Sequence, residues 1–304
     1  MKRTSQLLKS LLVTVMGVLP GMPLASHAQT ADFSESWAAY QTMKARADGG
    51  KPIKWDKLPD WSGVWTGSGS GLPNYMIGSD GQLTVRGGSA ASSKQPAPLT
   101  PEYQTKVRKV LADRAKGIEW DYISNCIPAG FPRWASSHFL KEFAVTPNTV
   151  WMLNEEQSEV RRVYTDGREH TPRDEAYALF EGDSVGFWDG DTLVVHTVDN
   201  KVGTWDRSGS AYSDQVNTIE RIRKISKDVI EDQMTVYDKL SLSKPWQVTF
   251  QFTRVTEPAD LRIRMWSCNE NNNVVQDESG GSRHVLPGEA GYKDPNQLAE
   301  PARQ

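Results

Sequence analysis

The stretch Glu181–Asn200, "EGDSVGFWDGDTLVVHTVDN", decides how this chain reads. Two apolar segments flank an Asp-Gly pair, a strong short-range signal for a hairpin with a two-residue loop. The second segment is apolar almost throughout, as barrel wall would be, yet it carries His196. With Asp189-Gly190 as the loop, Trp188 faces Asp191 and, counting back, Asp183 faces His196. Directly opposed residues have Cβ atoms about 4.5–5.5 Å apart, so the hairpin predicts a carboxylate–imidazole pair. Such a carboxylate orients the ring, fixes its tautomer and raises its basicity. That is the minimum equipment for general acid–base chemistry near neutral pH. The same pair buried in a wall would only satisfy itself and set the register.

Working outward, alternation of period two continues on both sides. "FLKEFAVT", "TVWMLNEE", "EVRRVYT", "QVNTIERIRKI", "DVIEDQMTVYD", "WQVTFQFTRV" and "LRIRMWSC" all read as strands. The turns between them are short: Pro147-Asn148, Asp166-Gly167 and Ser226-Lys227. Earlier, "LPDWSGVWTG" reads as a strand with Trp61 and Trp65 on one face, and its "SGVWTG" resembles the opening G-x-W of lipocalin-type barrels. The expected class is therefore mainly β. It is an antiparallel up-and-down, lipocalin-like barrel of about 8–10 strands with N-terminal helical additions. A barrel of that size has an interior wide enough for one small ligand.

The domain plan follows from the flanks. Residues 1–28 read as a cleaved leader. Lys2 and Arg3 precede the apolar run Leu11–Leu19, and Ser26-His27-Ala28 gives a small-x-small site. Export to the periplasm or beyond is expected, with no membrane span, because the apolar run is too short. Residues 29–57 form a helix and linker, with Phe33, Trp37 and Tyr40 at helical spacing. Residues 58–279 are the barrel, interrupted by an inserted helix over 100–116, which begins at Thr100-Pro101 and ends at Gly117. The Gly-, Ser- and Pro-rich stretch Gly67–Pro98 is a long loop, and a lid is one reading of it. Residues 280–304 are an irregular tail.

The net charge is −3 and no basic run occurs, which gives no reason to expect a nucleic-acid partner. In an oxidising compartment the two cysteines, Cys126 and Cys268, are most simply one disulfide. The histidines show no HxH or HExxH spacing, so no metal site is expected, and no cofactor motif is present. No G-x-S-x-G elbow occurs.

The chain resembles a large, mostly uncharacterised group of exported bacterial proteins, abundant in sphingomonads and acidobacteria. The resemblance runs over "PLTPEY", "CIPAGFPRW", "RRVYTDGREH", "GDSVGFWDGDTLVVHT", "YSD", "ERIRK" and "CNENN", in that order, from about Leu58 to Asn272. It implies a lipocalin-like barrel and leaves the activity open. In the family pattern a histidine stands before the turn and an aspartate after it. Here Asp183 and His196 have exchanged those places, and Tyr212 stands where the family often has histidine.

The candidate residues follow. His196, oriented by Asp183, is the expected base, and Tyr212 or Glu270 supplies or receives a proton. One of Arg161 and Arg162 points inward and needs an acidic partner or a ligand. Arg162 is the candidate for an anionic or phenolate group, and Arg133 is a further candidate substrate contact. Among eleven tryptophans, Trp188 and Trp246 are the candidates for stacking on a flat ring. The expected function is a cofactor-independent enzyme performing ether cleavage, elimination or hydration on a small oxygenated aromatic molecule, such as a lignin-derived phenolic. The alternative is a periplasmic carrier for a hydrophobic or aromatic ligand.

Overall fold

Nine of the alternating segments pair edge to edge until the sheet closes on itself. The computed structural model describes residues 32–67, 74–86, 96–121, 123, 126–206, 211–258, 260–266, 268, 273–276 and 281–292. The first barrel strands are β1 (Val64–Gly67), β2 (Leu140–Val145), β3 (Thr149–Asn154) and β4 (Glu159–Tyr164). They are followed by β5 (Asp183–Asp189), β6 (Thr192–Val198), β7 (Asn217–Ser226), β8 (Val229–Tyr237) and β9 (Trp246–Val255). Each pairs with the next in sequence, and β1 also pairs with β9 to close the ring.

The expected up-and-down course holds for every neighbouring pair but one: β4 and β5 run parallel, with Val163 beside Ser184 and Tyr164 beside Val185. Parity requires this. Strict alternation around an odd number of strands cannot close without one parallel pair. The Asp166-Gly167 turn, expected to be a hairpin turn, instead opens a crossover over residues 165–182 that carries the chain to the other end of the barrel. Parallel neighbours always need such a connection. "LRIRMWSC", expected as a strand, is irregular over its described residues 261–266. The free edge of β9 is already taken by β1, so the closed barrel offers no place for another strand.

Among the described residues three α-helices accompany the barrel: α1 (Ser34–Arg46), α2 (Pro101–Arg114) and α3 (Arg133–Ser136). Helix α2 begins at Pro101 as expected, but the Thr100 hydroxyl donates to the carbonyl of Leu240 at 2.9 Å instead of capping it. The tail expected to be irregular contributes Ser282–His284 to a small sheet with Val274–Gln276 and Ile118–Glu119. Within Gly67–Pro98, Asn74–Ile77 pairs with Leu83–Arg86, while residues 68–73 and 87–95 lie outside the described residues. The leader 1–28 and Glu270 also lie outside them. Cys126 and Cys268 are bonded, with Cα atoms 5.8 Å apart, across 142 positions of sequence. No helix among the described residues is long and apolar enough to cross a membrane.

Inward side chains fill the lumen with one continuous core. Trp134 packs edge-on against Phe143 and Phe252, and Trp61 against Trp188. A polar layer crosses this core. Arg161 donates to Glu220 Oε1 at 2.9 Å, to Glu220 Oε2, and to Thr197 Oγ1 at 2.7 Å, and its guanidinium lies 3.7 Å from the centre of the Phe131 ring. Among the described residues, side chains of the chain itself fill the lumen expected to hold a ligand.

Candidate functional site

His196 points out of the barrel, not into it. Every residue of β6 is buried, because Leu193, Val195 and Thr197 face the lumen while Val194, His196 and Val198 lie beneath other chain. That cover is α1, whose Tyr40 packs with Val185, Phe187, Val194 and Ile219 into a second, outer core. An apolar strand with a histidine in it is therefore a strand buried on both faces.

The hairpin register differs from the expected one. Asp189 pairs with Thr192 and Val185 faces His196, while Asp183 faces Val198. The loop is Gly190-Asp191. Gly190 has φ +63° and Asp191 does not share a positive φ, an arrangement with glycine at the first loop position that suits the strand twist. The shift is two residues, so Asp183 keeps the face of His196 but becomes its diagonal neighbour, a position about 7–8 Å away in an antiparallel pair. The expected direct pair does not form.

His170, delivered by the crossover, fills the gap. Its Nε2 is 2.7 Å from His196 Nδ1, and its Nδ1 is 3.4 Å from Asp183 Oδ2. On the far side, His196 Nε2 is 2.8 Å from the hydroxyl of Ser36 in the first turns of α1, which also lies 3.0 Å from the Phe33 carbonyl. Asp183–His170–His196–Ser36 thus form one chain of polar contacts from the crossover to the helix. Thr171 N–H donates to Asp183 Oδ2 at 2.8 Å and fixes its start. At the other end the helix is tethered by Asp32, which accepts from Ser34 N–H at 3.0 Å and pairs with Lys239 at 2.7 Å.

Burial pushes His196 down to about 3, and the nearby His170 adds to the effect, so the inner ring is neutral at neutral pH. Burial raises the Asp183 carboxyl, but the nearby His170 ring and the bond from Thr171 N–H outweigh that and hold it below the ordinary value. The chain therefore runs from a carboxylate to a neutral imidazole, with His170 between them.

A pocket of 370 Å³ opens beside this chain, between the start of α1 and the crossover. Its lining includes Phe33, Trp37, His170, Arg173, His196 and Val198. The rings of His170 and His196 lie 5.3 and 5.4 Å from Trp37. The volume is in the range of small-molecule sites, about 300–1,000 Å³. His170 is the more open ring, with its side chain 14 % exposed, whereas His196 is wholly covered.

The remaining expected residues lie elsewhere. Tyr212 is buried in the lumen core, its hydroxyl 3.3 Å from the Phe131 carbonyl and its ring against Trp205. Arg162 faces outward over the Trp151 ring, and the inward arginine is Arg161. Arg133 is buried and donates to both oxygens of Asp121, at 2.7 and 3.0 Å, and to Thr204 at 2.9 Å, so its donors tie α3 to neighbouring chain. Trp188 and Trp246 are core rings, packed against Trp61 and Trp205. Asp183 and His196 are brought together, but through His170, and Ser36, Trp37 and Arg173 complete the surroundings. Among the described residues no group of three or more His, Cys, Asp or Glu is arranged to hold a metal ion.

Comparison with protein-family models, with curated proteins and with solved structures found no match to the chain.

Proposed function

We propose that this chain is an exported enzyme that binds a small oxygenated aromatic molecule in the pocket between α1 and the crossover, and moves a proton to or from it through His170. The observation that carries the reading is the series Asp183–His170–His196, which runs beside a pocket walled by Trp37 and Phe33. A carboxylate behind an imidazole stabilises its charged form, so the proton taken from or given to the ligand stays on His170, while the neutral imidazole in front serves only as its resting hydrogen-bond partner. In the resting arrangement His170 Nε2 rests on His196. Exchanging that bond for one to the ligand presents the nitrogen to the pocket, and His196 takes it back afterwards. Ether cleavage, elimination and hydration each need one base and one acid of this kind, without a cofactor. The Cys126–Cys268 bond supports export, since disulfides persist in oxidising compartments.

A carrier is the second reading, and a specific feature favours it: both nitrogens of His170 already face protein partners. A chain engaged only with itself would form a wall of the pocket without reacting. The test incubates the purified protein with a panel of lignin-derived phenolics and follows binding and product release in wild type, His170→Ala and Trp37→Ala. Turnover lost in His170→Ala with binding retained supports the enzyme. Binding without turnover, weakened only by Trp37→Ala, supports the carrier. No binding across the panel removes both.

A further inference from the structure

The proposed function leaves the substituents of the ring open. Resting on that reading, we infer that Arg173 selects a carboxylate on the ligand, so that the pocket takes an aromatic acid in preference to its neutral counterpart. Arg173 borders the same pocket as Trp37 and His170 and is half exposed. It sits in the turn that follows His170 on the crossover, where Glu175 N–H bonds back to the Pro172 carbonyl. One nitrogen, Nη1, donates to both oxygens of Asp199, at 2.8 and 2.7 Å. The guanidinium centre also lies 5.2 Å from the centre of the Phe33 ring, a second wall of the pocket. The side chain is therefore held in place by Asp199 and Phe33, while Nε and Nη2 make no hydrogen bond among the described residues. A guanidinium presents its donors in a planar fork that matches the two oxygens of a carboxylate.

The surrounding charges do not cancel this preference. Asp32 is committed to Lys239, and Asp183 to His170 and Thr171. Asp199 neutralises Arg173 in part but occupies only Nη1. Glu169, at the rim, is exposed, where water screens it. Between the two common oxyanions of aromatic molecules, a carboxylate is ionised at neutral pH, whereas a phenol, with a pKa near 10, is not.

The experiment measures calorimetric affinity of the full mature chain for 4-hydroxy-3-methoxybenzoate and for its methyl ester. Wild type is expected to favour the acid about tenfold or more. Arg173→Gln should lose that preference while ester affinity stays within about twofold, and Arg173→Lys should keep part of it. Asp199→Asn, which leaves Arg173 in place without its countercharge, should raise the preference for the acid at least about threefold. It gives an independent answer should Arg173→Gln fold poorly. Ester binding with no preference for the acid in wild type overturns this inference and leaves the proposed function standing. So does a preference that survives in Arg173→Gln, or one that fails to rise in Asp199→Asn. If neither compound binds wild type, the inference and the aromatic reading fall together.

Discussion

His170 Nε2 and His196 Nδ1 stand 2.7 Å apart. At that distance one nitrogen carries a hydrogen and the other is bare, so the two rings share a single proton position between them. The tautomers are linked: reversing one reverses the other and changes which way the Ser36 hydroxyl points.

The first consequence concerns acid. His196 is depressed to about 3 in the folded chain, chiefly by burial, against about 6.5 when unfolded. The unfolded state therefore takes up the proton first as pH falls. The stability contribution is complete above about pH 6.5 and is lost progressively toward pH 3. By pH 5 the loss from this group is about 2 kcal/mol. Urea unfolding of wild type and His196→Gln at pH 7.5 and pH 5 measures it. The substituted chain should lose less stability between the two, and equal losses would refute the assignment.

Ser36 holds the inner end of the chain from a helix that is otherwise fastened by Trp37, Tyr40 and Met43. Ser36→Ala leaves His196 Nε2 buried without its partner. A cost of about 1–3 kcal/mol is expected, read as a lowered denaturant midpoint with an unchanged slope. Under the proposed function, turnover should also fall, because the His196 tautomer is no longer fixed.

Glu181 ends the crossover with both carboxyl oxygens covered and without a hydrogen-bond partner among the described residues. Burial, reinforced by the nearby Glu159, pushes it well above the ordinary value despite the opposing charge of Arg161. The folded chain therefore holds the proton to a higher pH than the unfolded chain, which releases it above about pH 4.3. The resulting penalty grows as pH rises from there. Glu181→Gln, which cannot ionise, should be more stable than wild type at pH 8, by roughly 1–3 kcal/mol. The two should converge below about pH 4. A destabilised variant at pH 8 would contradict this reading.

Arg161 is the buried counter-charge of Glu220. Its loss in Arg161→Met leaves Glu220 buried beside Asp232, whose carboxyl burial and Glu220 already push well up. Breaking such a pair from one side costs about 3–5 kcal/mol. Adding Glu220→Gln should recover much of the loss. A double-mutant cycle by chemical denaturation reads the coupling, and additive effects would show that the two act independently.

The barrel was legible because alternation and tight-turn chemistry repeat along the chain and each strand restates them. The register of the β5–β6 hairpin was not, because Asp189-Gly190 and Gly190-Asp191 are both acceptable loops, and moving the loop by one residue shifts each facing partner by two, which leaves the faces unchanged. The pattern therefore puts Asp183 and His196 on one shared face, which holds, but as direct partners, which they are not. His170 and Ser36 lie 26 and 160 positions from His196, and no local pattern joins them. A weak signal existed in α1, where Ser36, Trp37 and Tyr40 fall on adjoining helical positions and mark a face that covers something. The choice between Arg161 and Arg162 was undecidable from "EVRRVYT", since each shares its phase with a valine: Arg162 with Val160 and Arg161 with Val163.

The parallel β4–β5 pair carries a consequence for how this molecule can change. Hairpin loops around the ring can shrink to two residues, but the segment 165–182 cannot, because it must travel the height of the barrel to start β5 in the same direction as β4. It is also the segment that delivers His170, Thr171 and Arg173 to the pocket. Trimming it to simplify the pocket would unmake the barrel's closure. Adding or losing one strand elsewhere would make the strand count even, so that the ring could close without the crossover. Architecture and pocket are inherited as one unit, and diversification has to proceed by exchanging side chains along that span.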